Sequence, residues 1–204
     1  MPKIRRLHEN FQLPPVPPNI ETGVVPELQY KSDTPEFAWA GSGTRHLGTV
    51  MHRCFQILTK EGKESWTEDR IKIFENSLPT ALKTQGLPPE MIWKEVKKGK
   101  IMLRNILNHE RGRWILQTHK DDHCEYPLTH IENNTYQSRV IDRTFVDDKN
   151  FRWIIDYKTG QHMGSNLESF LKNEKDRYRS QLNQYEMLLK ISGETRAIKK
   201  ALYY

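Results

Sequence analysis

The stretch "RVIDRTFVDDKNFRWIIDYKTG", residues 139–160, holds two runs of aromatic and β-branched residues around the polar centre "DDKN". It reads as a β-hairpin. Each arm carries an acid where a buried strand would hold an apolar residue: Asp142 in the first, Asp156 in the second, with Lys158 two positions beyond. The register of the hairpin decides whether these charges meet. A four-residue loop would pair 146 with 151 and set Asp142 and Asp156 on opposite faces. An odd loop centred on Lys149, or a bulge, pairs 142 with 156. Only the odd register gathers Ile141, Phe145, Trp153 and Ile155 on one apolar face, with Tyr157 beside them. It leaves Asp142, Thr144, Ile154, Asp156 and Lys158 on the other. A one-residue slip turns a whole strand over, so the apolar pattern selects the odd register.

Directly opposed residues of an antiparallel pair have Cβ atoms about 5 Å apart. Two carboxylates that close repel, and their burial is costly without a counter-charge. A hard divalent cation supplies one, and Mg²⁺ commonly takes one or two carboxylates plus water and phosphate oxygens. Lys158 would then project beside the ion, placed to stabilise charge on a phosphate. The plainer reading of Asp156 and Lys158 is a salt bridge on a half-exposed strand.

Upstream of the hairpin the pattern is helical. In "GTRHLGTVMHRCFQILTKEG" the residues Leu47, Met51, Cys54, Phe55 and Leu58 recur at spacings of three and four. "SWTEDRIKIFENSL" opens with Ser65 three residues before Glu68, a capping-box spacing. Pro79, Pro88 and Pro89 punctuate the next stretch, and "PPEMIWKEVKKGKIMLRNILNHERG" predicts one long helix with Pro89 at its start. After "RGRW" the period changes to two, and "WILQTH", "CEYPLTH", "TYQSRVIDRTFV" and "FRWIIDYK" read as four strands. "DRYRSQLNQYEMLLKI" predicts a last helix and "KKALYY" a final strand. Because the sequence stops inside that strand, an excised fragment is expected.

Residues 1–40 read differently. Prolines at 14, 15, 17, 18 and 26 lack the amide donor and fix φ, so an extended Pro-rich arm or linker is expected there, followed by one domain over residues 41–204. The chain has 204 residues, 36% of them hydrophobic, with a net charge of +6. Its pI is about 9.2 and its mean hydropathy −0.80. The basic balance suits a polyanionic partner. Two cysteines, Cys54 and Cys124, exclude a four-cysteine zinc or iron–sulfur site. No apolar run reaches the roughly 18 residues of a membrane span, and "MPKIRRLHENFQ" has no apolar core of a secretory signal behind its basic residues. No Walker A sequence occurs, so ATP-driven unwinding through that motif is excluded.

The hairpin followed by "YRSQLNQYEMLL" resembles the C-terminal nuclease domain of bacterial RecB- and AddA-type (UvrD-like) helicase–nucleases, a branch of the PD-(D/E)XK superfamily. "GTVMHR" is similar to the family's first motif, G-x-x-x-H-R. "RGRWIL" and "EYPLT" resemble its intermediate segments, and the proline-rich arm after "RRL" resembles its link to the helicase. The resemblance covers nearly the whole chain. It implies an α/β, restriction-endonuclease-like core, a mixed central β-sheet flanked by α-helices. It makes His52, Asp142 and Asp156 metal ligands, with the backbone carbonyl of Tyr157, and Lys158 the catalytic lysine. It gives Gln181 and Tyr185 the role of positioning DNA, at i and i+4 on one helix face. Glu125 falls at an acidic position of the family; an exposed strand glutamate fits it equally. His46 reads as structural.

The expected activity is metal-dependent hydrolysis of DNA phosphodiesters with Mg²⁺ or Mn²⁺. The resemblance implies single-stranded DNA in the bacterial cytoplasm, delivered by a helicase in cis or a partner helicase–nuclease subunit for recombinational repair. Lys94, Lys97, Lys98 and Lys100 in "KEVKKGK" form either a solvated basic face or a contact to the DNA backbone. Trp39 reads as packing rather than base stacking. The other readings are a catalytically idle DNA-guiding or subunit-docking module, and a self-standing phage-type or CRISPR-associated exonuclease.

Overall fold

The computed structural model describes residues 42–132, 135–160 and 167–204. The proline-rich arm and Trp39 lie outside them. Five helices and four strands follow in the order α1 (Ser42–Glu61), α2 (Glu68–Thr84), α3 (Pro89–Asn108), α4 (Glu110–Leu116), β1 (Lys120–Glu132), β2 (Thr135–Val146), β3 (Arg152–Tyr157), α5 (Leu167–Ile191) and β4 (Ile198–Tyr203). The sheet order is β1-β2-β3-β4. The first three strands are antiparallel, and β4 runs parallel to β3. A parallel neighbour needs a crossover, and α5 is that crossover. The α/β class and the mixed, helix-flanked sheet are therefore as expected. None of the described helices is long and apolar enough to cross a membrane.

Helices α1–α4 bury one face of the sheet. Leu47, Met51, Phe55, Leu58, Leu78, Leu103 and Ile106 pack with Phe145, Ile155 and Tyr157, and Trp153 lies against them. Helix α5 covers the opposite face, where Leu182, Tyr185, Leu188 and Leu189 meet Leu128, Ile141 and Ile154. Cys54 and Cys124 are free thiols.

The hairpin turn is odd and centred on Lys149. Val146 pairs with Arg152, Phe145 with Trp153 and Arg143 with Ile155, which leaves Asp147–Phe151 as the loop. The Asp147 carboxylate holds it closed. Its Oδ1 accepts from the Lys149 and Phe151 amides at 3.0 and 2.9 Å, and its Oδ2 from Trp153 Nε1 at 2.8 Å. Asn150 takes the left-handed conformation that the tight turn demands, φ 61°.

One residue departs from the expected faces. Ile141 packs with Ile154 under α5, not with Phe145 and Ile155. The β1–β2 register is the same at Cys124↔Arg143 and Tyr126↔Ile141, with the Glu125–Asp142 pair missing between them, and it shifts between Lys120 and His123. Glu125 has φ 50° at the missing pair, next to Tyr126, the residue opposite Ile141.

Other local expectations are corrected. "WILQTH", expected as a strand, instead supplies the last three residues of helix α4, Trp114, Ile115 and Leu116. The chain turns extended at His109, whose ring accepts from the Arg111 amide at 3.2 Å and starts a new helix. Gly112 lets α4 fold back so tightly that a Cβ there would strike the Ile106 carbonyl. The long helix thus ends at Asn108, and among the described residues there are four strands where five were expected. The α2 cap is Thr67, which accepts from Arg70 N at 3.3 Å; Ser65 sits in a 3-10 turn and bonds Gly62 O instead. Pro79 lies inside α2, between the wholly buried Leu78 and Leu82. Helix α5 begins at Leu167 rather than near Asp176.

Arg143 joins the layers. It is 0% exposed and donates to Ile115 O at 3.2 Å, Gln117 O at 3.0 Å and Asp122 Oδ2 at 3.0 Å. Arg143→Met would leave two carbonyls and a carboxylate without their partner. Urea unfolding should show a loss of about 2–4 kcal/mol, since removing one member of a buried pair costs that order.

Candidate metal centre

The interruption in the β1–β2 ladder is where the acids gather. Glu125 would oppose Asp142 in the register of their neighbours. A non-glycine residue at positive φ is uncommon and is often retained at functional sites. Beyond Arg143↔Ile155 the β2–β3 ladder ends as well. The Tyr157 amide donates instead to Asp142 Oδ2 at 2.7 Å.

Helix α1 brings in His52. Its apolar stripe lies on the sheet, and Thr159 at the exit of β3 donates from Oγ1 to Thr44 O at 3.3 Å. His52 lies on the flank of that stripe, edge-on to the Tyr157 ring. Its Nε2 is 3.3 Å from Tyr157 O. Its Nδ1 is 3.5 Å from Asp142 Oδ1 and 3.7 Å from Glu125 Oε1. The tautomer protonated at Nε2 donates to the carbonyl and turns the Nδ1 lone pair toward the carboxylates. A backbone acceptor behind a ligating imidazole is the usual orienting partner.

Ligand atoms of His52, Glu125 and Asp142 lie within 4.8 Å of one another. An imidazole with two carboxylates is a donor set for Mg²⁺ or Mn²⁺. The electrostatics agree. Burial pushes the Asp142 carboxyl up to about 7, and the nearby charges of Asp156 and Glu125 add to the rise against His52 and the Tyr157 amide. Several acids held this close call for a cation.

Asp156 is 2% exposed and faces elsewhere in part. Its Oδ1 accepts from Gln181 Nε2 at 3.0 Å. Its Oδ2 has the Lys158 ammonium at 2.6 Å, though not with the angles of a hydrogen bond. Gln181 Nε2 also donates to the Tyr185 hydroxyl at 2.6 Å. Tyr185 is only 4% exposed, so it meets the site through Gln181. The Lys158 backbone amide donates to Tyr203 O on β4 at 2.8 Å.

The structure thus brings together His52, Asp142, Tyr157, Asp156, Lys158, Gln181 and Tyr185. It sets the Tyr157 carbonyl against the imidazole and places Glu125 beside His52 and Asp142, in a group able to hold a metal ion, where the sequence left a strand glutamate equally open. No periodicity signals a left-handed residue inside a strand. The lysines of α3 stand apart from this cluster. Lys94 and Lys97 are exposed, Lys100 is half-buried, and Lys98 pairs with the buried Glu95 at 2.7 Å. Glu95 and Met91 abut Gly43 at the start of α1, so this end of α3 borders the helix that carries His52.

The sequence matches the family model of the PD-(D/E)XK nuclease superfamily over residues 27–204. No curated protein matches it. Nucleases of this superfamily hydrolyse phosphodiesters with divalent metal ions, and the imidazole and carboxylates here fit such an ion. Because the match takes in the whole described sheet and every residue from His52 to Tyr185 in the cluster, the chain belongs to the PD-(D/E)XK nuclease superfamily.

Proposed function

We propose that this domain hydrolyses the phosphodiester backbone of single-stranded DNA, delivered by a helicase in cis or by a partner helicase–nuclease subunit, in recombinational repair in the bacterial cytoplasm. The observation that carries the hydrolytic reading is the convergence of His52, Glu125 and Asp142 with the Asp156–Lys158 pair beside them. The helicase, the single strand and the RecB- and AddA-type branch rest on the resemblance of "GTVMHR", the hairpin and "QLNQY" to that branch.

His52 Nδ1, Glu125 and Asp142 would hold Mg²⁺ or Mn²⁺, with Asp156 close enough for its charge to act on Asp142. Such an ion supplies an activated water and offsets phosphate charge. The Tyr157 amide and Gln181 fix the carboxylates of Asp142 and Asp156. Lys158 brings a positive charge to the phosphate oxygens as negative charge develops on them. Lys94, Lys97, Lys98 and Lys100 would hold the strand by its phosphates, independent of sequence.

Wild-type protein with Mn²⁺ should cut end-labelled single-stranded DNA, and EDTA should stop it. Asp156→Asn and Lys158→Ala should each lose about a hundredfold or more in rate. An inert wild type whose DNA binding is unchanged by Asp156→Ala would favour the idle docking module.

Asp142 predicts a pH signature. Its folded carboxyl titrates at about 7, against roughly 4 in an unfolded chain. The folded state therefore holds the proton more tightly. Stability from this group is complete below about pH 4 and is lost as pH rises through about 7. A cation must displace that proton. The thermal shift caused by Mn²⁺ should accordingly be larger at about pH 8 than at about pH 6. Asp142→Asn should abolish the shift and, without metal, melt higher than wild type at the upper pH.

Replacing Lys94, Lys97 and Lys100 together by alanine should weaken single-strand binding at every sequence. It should flatten the plot of log affinity against log salt by about 2 if all three neutralise phosphates. An unchanged slope would assign them to a solvated face.

A further inference from the structure

Lys158 is held from two sides. Its Nζ lies 2.6 Å from Asp156 Oδ2 and 3.6 Å from the centroid of the Tyr178 ring. Tyr178, Gln181 and Tyr185 follow at i, i+3 and i+7 on α5, which is one face of a helix. Gln181 holds Asp156 and is itself held by Tyr185. One helix face therefore meets both charged side chains at the end of β3. Tyr178 is half-buried and belongs to neither hydrophobic cluster, so filling the core does not account for it.

A lysine is a compact charge on a flexible four-carbon stem. A carboxylate can anchor it, yet the same carboxylate offsets the charge that a phosphate needs. An aromatic face attracts an ammonium through its quadrupole and adds no negative charge. The other cation on this ring, Arg177, is more distant at 5.4 Å and has Glu174 as a partner at 3.6 Å. We propose that Tyr178 is a positioning residue whose ring seats the Lys158 ammonium at the reaction centre and preserves its charge for the phosphate. This rests on the nuclease reading above.

The seat itself is read without any cleavage. In protein labelled at the lysine ε-carbons, the Lys158 Hε resonances, assigned through Lys158→Arg, should lie upfield from the ring current of Tyr178. They should return to the ordinary lysine position in Tyr178→Leu. An unshifted wild-type resonance overturns the proposal. The rate test uses single-stranded DNA with Mn²⁺. Tyr178→Leu should lower kcat about tenfold with KM unchanged, and Tyr178→Phe, which keeps the ring, should restore it. In a Lys158→Ala background Tyr178→Leu should cost nothing further. Trifluorophenylalanine at position 178 keeps the shape and weakens the quadrupole. It should fall with Tyr178→Leu, and it serves if the leucine variant does not fold. A Tyr178→Leu protein as fast as wild type, or one whose loss persists without Lys158, overturns the positioning role alone. A wild type that cleaves nothing overturns the nuclease reading beneath it.

Discussion

Strand β3 can pair with β2 in only a few registers, and the carboxylate of Asp147 selects one. By accepting from two loop amides and from the Trp153 indole, it makes a five-residue turn more favourable than a four-residue one. The placement of every nearby side chain depends on that choice. Phe145, Trp153 and Ile155 go to the helical layer, Ile154 goes under α5, and Asp142 arrives at the end of the ladder near Asp156. A turn one residue shorter would turn β3 over against β2, set Asp156 on the opposite face from Asp142 and drive it into the α1–α4 core without a partner.

The site occupies the place where the sheet stops being regular. Two ladders fail at Asp142, and the groups freed at Tyr157 are reused. The Tyr157 amide takes a carboxylate and its carbonyl takes an imidazole. The remaining tension is electrostatic, between Asp142, Glu125 and Asp156, and a cation would relieve it. Stability and chemistry oppose each other here. Asp142, which suits a metal ion, is an acid whose ionisation weakens the fold in the absence of that ion.

Much of this was legible in the sequence, because a period of two exposes each strand residue to a definite face. The hairpin, its odd loop and the meeting of Asp142, Asp156 and Lys158 come from that pattern. His52 needed the likeness to a family motif, since an amphipathic helix alone gives a flanking histidine no role. Ile141 and Glu125 lie beside and within the missing β1–β2 pair, and glutamate carries no mark in sequence of the left-handed conformation it takes there. "WILQTH" misled because Trp114, Ile115 and Leu116 suit a strand, while Gly112 and the His109 cap place them in a helix. Tyr178 was within reach, seven residues before Tyr185, but helical spacing alone does not say what a face will meet.

The backbone amide of Lys158 ends on the carbonyl of Tyr203. Strand β4 therefore completes the seat of a lysine encoded far upstream, and the whole of α5 must cross the sheet before it can. During synthesis the ribosome releases His52, Asp142 and Asp156 well ahead of Tyr203. Until β4 docks, Lys158 lacks its main-chain anchor. A domain wired this way carries its own delay: the growing chain holds the acids of a nuclease for some time before it holds the complete centre.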